Sequence, residues 1–206
     1  MNEGVDPHLY RPTSSDVKQL SDADIIFYSG LMLEGRMSDT FSQIQRTGIP
    51  VYAVTEGIDP KLLREPPEFA GHWDPHVWMD VQAWSACVSQ IADALSEFDP
   101  AHKETYEKNA KNYQDELTKL DDYVRKTIAS IPEDQRVLIT AHDAFGYFSR
   151  AYQIEVKSVQ GLSTESDADL KHINELVEFI CTRKIKAIFV ESSVSDRNIK
   201  AILEGC

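Results

Sequence analysis

From Ala101 to Ile131 the chain carries neither glycine nor proline. Tyr106, Tyr113, Leu117, Leu120, Val124 and Ile128 recur there roughly once per helical turn. The pattern predicts one helix of about 30 residues, about 45 Å long. So long a helix outruns a small domain. It is either a coiled-coil arm or a rigid strut between two lobes. The chain has 206 residues, enough for one or two domains with a sizeable core.

Both flanks of the long helix alternate short apolar runs with helical patterns. Before it, Thr13 is a candidate N-cap with Asp16 three residues on. DIIFYSG reads as a buried strand ending at Gly30, residues 34–46 as a helix closed by Thr47-Gly48, and IPVYAV as a second strand. Residues 57–76 hold four prolines and two glycines' worth of interruption, and read as a long loop of functional type. A helix is expected over 77–98, broken by Asp99-Pro100. After Pro132 the rhythm resumes: RVLIT as strand, 142–152 as helix, IEVKSV as strand, GLSTESD as loop, 168–183 as helix, KAIFVE as strand and 195–203 as a further helix. Alternation of this kind predicts an α/β fold with parallel sheets and crossover helices. The expected division is an N-terminal αβ lobe over 1–98, a linking helix over 99–131 and a C-terminal αβ lobe over 132–206.

The formal net charge is −13. That sign argues against nucleic acid as a partner and suits a cation or a basic protein surface. Cys87, Cys181 and Cys206 show no paired spacing, which argues against a disulfide scaffold or a cysteine zinc site. Cys87 and Cys181 fall in apolar helical patterns and read as core thiols. No apolar run reaches the roughly 18 residues of a membrane span. Met1 leads straight into a polar turn, with no visible export signal.

The six histidines are unevenly placed. GVDPHLY and HWDPHVW each put a histidine, His8 or His76, directly after Asp-Pro. Proline fixes its own φ and holds the preceding residue extended, so each ring is presented from stiff backbone. The aspartate is placed to cap an amide or to accept from the ring N–H turned away from a metal. His142 follows the apolar run VLI, and Glu191 ends AIFVE. Both therefore lie at carboxyl ends of strands, the ligand edge of a parallel sheet. His142 is also read as opening a helix, whose positive dipole end favours the neutral imidazole that a metal requires. Three histidines separated this widely exclude a local finger-type site. Each also has a purely structural reading, as turn residue, helix cap or core histidine. His72 is an outside candidate, and His102 and His172 read as solvated helix positions.

GVDPHLYRPTSSDV and ADIIFYSGLMLEG, then DPHVWMDV, TAHDAFGYF, VQGLSTES and IFVESSVSDRNIKAI, resemble in order the cluster A-I solute-binding proteins of bacterial ABC importers, receptors for zinc and manganese. The resemblance covers nearly the whole chain. It implies two Rossmann-like αβ lobes joined by one long rigid helix, with a metal ion between them. It implies His8, His76 and His142 as metal ligands and a fourth, an aspartate, beyond Cys206. Family members also have a strand, a helix and an export signal before GVDPH, so the resemblance implies a fold incomplete at both termini. Glu191 is a substitute candidate for the carboxylate ligand. The implied partners are a divalent ion, Zn2+ or Mn2+, and an ABC permease. The implied location of the parent is the periplasm or the extracytoplasmic face as a lipoprotein.

Three imidazoles and a carboxylate suit zinc well and manganese acceptably. The loop 57–72 carries only His72, where zinc-specific members often carry a histidine-rich stretch. The expected function is capture and delivery of the ion, with no enzymatic step. The alternative is a zinc hydrolase with three histidines and Asp143 or Glu191 as general base. A third possibility is a structural αβ protein whose histidines are incidental.

Overall fold

The computed structural model describes residues 4–164, 169–194 and 197–205. The chain divides into two compact units, Tyr10–Val124 and Met1–Leu9 together with Arg125–Cys206. The first few residues thus group with the C-terminal part of the chain, whereas the sequence reading put them in one lobe with 10–98.

The unit Tyr10–Val124 opens with α1 (Ser14–Ser21). The Thr13 hydroxyl accepts the Asp16 N–H at 3.2 Å, and the Asp16 carboxylate accepts the Thr13 N–H at 2.7 Å. This is the capping box expected from the sequence, and it satisfies amides that the first turn leaves open. The Tyr10 hydroxyl also donates to the Asp16 carboxylate, at 2.5 Å. Led by that bond, these contacts pull the Asp16 pKa down to about 2. Strand β1 (Ile26–Tyr28), helix α2 (Ser38–Gln45) and strand β2 (Val51–Ala53) follow. The strands pair in parallel, Ile26 opposite Val51 and Tyr28 opposite Ala53. Ile26, Met37, Phe41 and Ile44 form the core between sheet and helix. Gly30 has φ +93°, and a Cβ there would lie 2.6 Å from Thr55 Oγ1 and 2.9 Å from Ala53 Cβ. Only glycine fits so close a passage of backbone with that φ.

Helix α3 (Val81–Phe98) starts later than the sequence pattern predicts. Val77–Met79 form a separate 3₁₀ turn, and the Asp80 carboxylate caps the Gln82 N–H at 2.9 Å. The long helix α4 (Lys103–Ala129) has 27 residues and follows a 3₁₀ turn at Pro100–His102. Its length is about 40 Å at 1.5 Å per residue. Gln114 Nε2 on α4 donates to Ser85 O at 3.0 Å and to Ser89 Oγ at 2.8 Å on α3. The helix therefore packs along α3 within this unit and does not project as a free coiled-coil arm.

The second unit holds β3 (Val137–His142), α5 (Gly146–Tyr152), β4 (Glu155–Gln160), α6 (Leu170–Arg183) and α7 (Arg197–Gly205). Arg125, at the end of α4 that belongs here, donates to Ala151 O at 2.9 Å and lies over the Tyr152 ring. β3 and β4 are parallel, from Val137 opposite Glu155 to His142 opposite Gln160. Ile139, Ala141, Val159, Ile173, Leu176, Ile180, Ile199 and Ile202 bury the inner faces of sheet and helices together.

Four expectations change here. KAIFVE forms a single bridge, Phe189 to Thr140, in place of a strand. Phe189 and Val190 stay 56% and 64% exposed, so this run lacks the cover that a continuous apolar strand needs. His142 ends β3 and the following helix begins at Gly146, so the helix-dipole argument for His142 falls. Cys181 is exposed on α6 and disulfide-bonded; it is not a core thiol, whereas Cys87 is buried and free. Helix α6 begins later than predicted, at Leu170, after Asp169 caps the Lys171 N–H. Residues 165–168 and 195–196, part of those expectations, lie outside the described residues. Among the described residues, no helix is long and apolar enough to cross a membrane.

Candidate metal centre

His142 stands at the carboxyl end of β3, where a parallel sheet presents its ligand edge. The ring is buried. Its Nδ1 lies 2.9 Å from Glu191 Oε1 and 2.8 Å from Oε2. Glu191 Oε1 also accepts the His142 backbone N–H at 3.3 Å. A carboxylate on Nδ1 selects the tautomer with its proton there and puts the lone pair on Nε2. Glu191, offered by the sequence as a substitute ligand, thus gives its carboxylate to the ring of His142. The sequence placed it at the right sheet edge; its use depends on a contact across 49 residues of chain.

His8 lies in the same unit, in a turn at residues 7–9, and is buried. Asp6 Oδ1 accepts the His8 backbone N–H at 2.9 Å, a local turn of the kind the Asp-Pro-His triplet favours. The Thr164 hydroxyl donates to Asp6 Oδ2. The rings of His8 and His142 stand edge to face, 5.9 Å between centroids. Each offers a ring nitrogen within 4.8 Å of the other's. Two buried imidazoles this close suit a shared cation and not a shared positive charge.

His76 belongs to the other unit, Tyr10–Val124, and is 1% exposed. Asp74 Oδ1 accepts its backbone N–H at 3.0 Å and lies 2.8 Å from its Nδ1. Arg64 Nη1 holds Asp74 Oδ2 at 2.5 Å, and the Asp74 backbone N–H donates to Arg64 O at 2.8 Å. Asp74 is 0% exposed, so the guanidinium supplies the charge partner that a buried carboxylate requires. The His76 ring carries the same orientation as His142: carboxylate on Nδ1, lone pair on Nε2.

The remaining histidines are exposed and otherwise engaged. His72 packs on Phe69, His102 Nδ1 lies 2.6 Å from Asp99, and His172 Nε2 lies 2.8 Å from Ser158 O. Asp143, the alternative general base, donates its N–H to Gly161 O at 3.3 Å. Sequence reasoning missed Arg64 and Thr164. Arg64 sits in the proline-rich loop with no local signal. Thr164 lies within GLSTES, where the motif alone says nothing of its partner.

Parallel αβ units and two buried, carboxylate-backed histidines, one of them at a sheet edge, place the chain in the class of metal-receptor folds. Its fold superposes on the periplasmic zinc binding protein TroA from Treponema pallidum with a TM-score of 0.94 at 45% identity, covering 100% of this chain and 73% of that one. The chain belongs to the family described as zinc-uptake complex component A, periplasmic, whose model matches residues 1–205. It is 46% identical over 205 residues to the manganese-binding lipoprotein MntA of Bacillus subtilis, and 46% over 207 to the zinc-binding protein TroA of Treponema pallidum. It is 38% identical over 204 residues to the manganese ABC transporter substrate-binding lipoprotein PsaA of Streptococcus mitis. The chain spans 66% of the length of each of these three relatives. The family is named for metal uptake, and the hydrolase reading finds no support in it.

Proposed function

We propose that this chain is the metal-gripping part of an extracytoplasmic receptor that captures a divalent transition metal ion and hands it to an ABC permease. The ion is cargo, and no chemical step is performed on it. His8, His76 and His142 are the ligands, each through a ring nitrogen. The observation that carries this reading is the buried His8–His142 pair, with Nδ1 of His142 tied to Glu191. His76 joins it because its ring is oriented by a carboxylate in the same way.

Asp74 and Glu191 act as orienting residues in this scheme. Each keeps the proton on Nδ1 and stiffens the ring, leaving the Nε2 lone pair for the ion. Imidazole donors favour zinc over manganese, in ligand softness and in the Irving–Williams order. Relatives named for each metal leave both as cargo candidates. The names of the relatives support a lipoprotein or periplasmic parent and a membrane permease as partner.

The test is a thermal melt of metal-stripped protein with and without zinc or manganese, beside His76→Ala. At 100-fold excess over the dissociation constant a specific ligand stabilises the fold by about 2.7 kcal/mol. We expect a clear rise in melting temperature that is larger for zinc and lost in His76→Ala. No rise with either metal in the wild-type chain sinks the reading.

A further inference from the structure

The two Asp-Pro-His triplets are built alike beyond the triplet itself. In each, aspartate Oδ1 accepts the backbone N–H of the histidine two residues on. In each, Oδ2 of the same carboxylate is held from outside. For Asp74 the outer partner is the Arg64 guanidinium. For Asp6 it is the Thr164 hydroxyl, 158 residues away in sequence.

Thr164 lies just after β4, whose last residue Gln160 stands opposite His142 in the sheet. One sheet edge therefore carries the His142 ring directly and, through Thr164, holds the carboxylate that shapes the His8 turn. Residues 4–9 form no helix or strand, so their backbone has no ladder to fix it. The Asp6 turn alone makes the arm locally rigid. It does not fix where the arm lies. The Thr164 hydroxyl supplies that second constraint.

We propose that Thr164 is a positioning residue for metal capture: through Asp6, its hydroxyl sets the His8 imidazole at the spacing from His142 that two ligands of one ion need. The proposal rests on the assignment of His8 as a ligand. Thr164→Val keeps the size and branching of the side chain and removes only the donor. Thr164→Ser keeps the donor.

The experiment measures zinc affinity by competition with a chromophoric chelator, and His8 amide hydrogen exchange in the metal-free protein. The proteins compared are the wild type, Thr164→Val, Thr164→Ser, Asp6→Ala, the Asp6→Ala/Thr164→Val double variant and His8→Ala. Outer partners of metal ligands typically carry 10–100-fold in affinity, so Thr164→Val is expected to bind zinc about tenfold more weakly. Thr164→Ser is expected to match the wild type. Thr164→Val adds no further loss in the Asp6→Ala background, because the hydroxyl acts through that carboxylate. Faster exchange at His8 in Thr164→Val, restored in Thr164→Ser, supports the clasp without reference to metal. Wild-type affinity and wild-type exchange in Thr164→Val overturn the proposal, as does an equal loss with and without Asp6. Equal zinc affinity in the wild type and His8→Ala overturns the ligand assignment itself; the exchange data then show separately whether Thr164 holds the arm.

Discussion

At His76 three side chains lead from the surface to a buried ring: Arg64 at 26% exposure, Asp74 at 0% and His76 at 1%. Removing the outermost takes the guanidinium from the buried carboxylate next to it. Breaking a buried ion pair from one side costs about 3–5 kcal/mol, and Arg64→Ala is expected near the low end because Arg64 keeps part of its side chain in water. Urea unfolding of the metal-free variant measures it. Glu191→Gln keeps the shape at His142 but replaces an anionic acceptor with a neutral one. Zinc affinity is expected to fall about 10–100-fold, as for other partners of ligating histidines. A titration that leaves affinity unchanged removes Glu191 from the site. Cys87 makes a contrasting case, since burial pushes its thiol up to about 11. It is expected to resist alkylation at pH 8 in the folded protein and to react once the chain is unfolded. Mass spectrometry of each state decides this.

Among the elements, α1 has a start whose stability depends on pH. Asp16 closes its capping box and titrates near 2, below the ordinary carboxylate value of 3.8. A depressed folded pKa contributes stability above the unfolded value, and that contribution is lost as pH falls from about 4 towards 2. An NMR titration of the Asp16 carboxyl carbon is expected to show a midpoint near 2 that moves up in Tyr10→Phe. Helix α4 is anchored through one buried side chain. Leu117 is its buried residue, while Leu120 and Tyr123 are exposed at 47% and 67%. Leu117→Ala is expected to cost about 2–5 kcal/mol, and Leu120→Ala far less.

At the scale of the whole molecule, each compact unit has its own apolar core. Units with separate cores do not have to unfold as one. The proposed ligands are divided between them, His8 and His142 in one and His76 in the other. Calorimetry of metal-stripped protein is expected to give a broad or split endotherm that moves up with zinc. Identical profiles with and without zinc contradict the proposed metal binding. The net charge of −13 fits a cation as cargo, since the long-range field draws a cation in and repels an anion.

Sequence alone determined what depends on near neighbours. The glycine- and proline-free run at 101–131 specified a long helix, because propensity and one apolar residue per turn act within a few residues. Thr13 and Asp16, three positions apart, specified the start of α1. The two Asp-Pro-His triplets specified their own turns, since the bond from histidine N–H to aspartate spans two residues. The end of the apolar run VLIT placed His142 at the ligand edge. Tertiary structure decided the rest. It gave Glu191 to the ring of His142, Arg64 to Asp74 and Thr164 to Asp6. It left KAIFVE with one bridge and Cys181 exposed on its helix. No local pattern encodes those outcomes, because a carboxylate finds a distant partner only after the chain between them has folded and brought the two together.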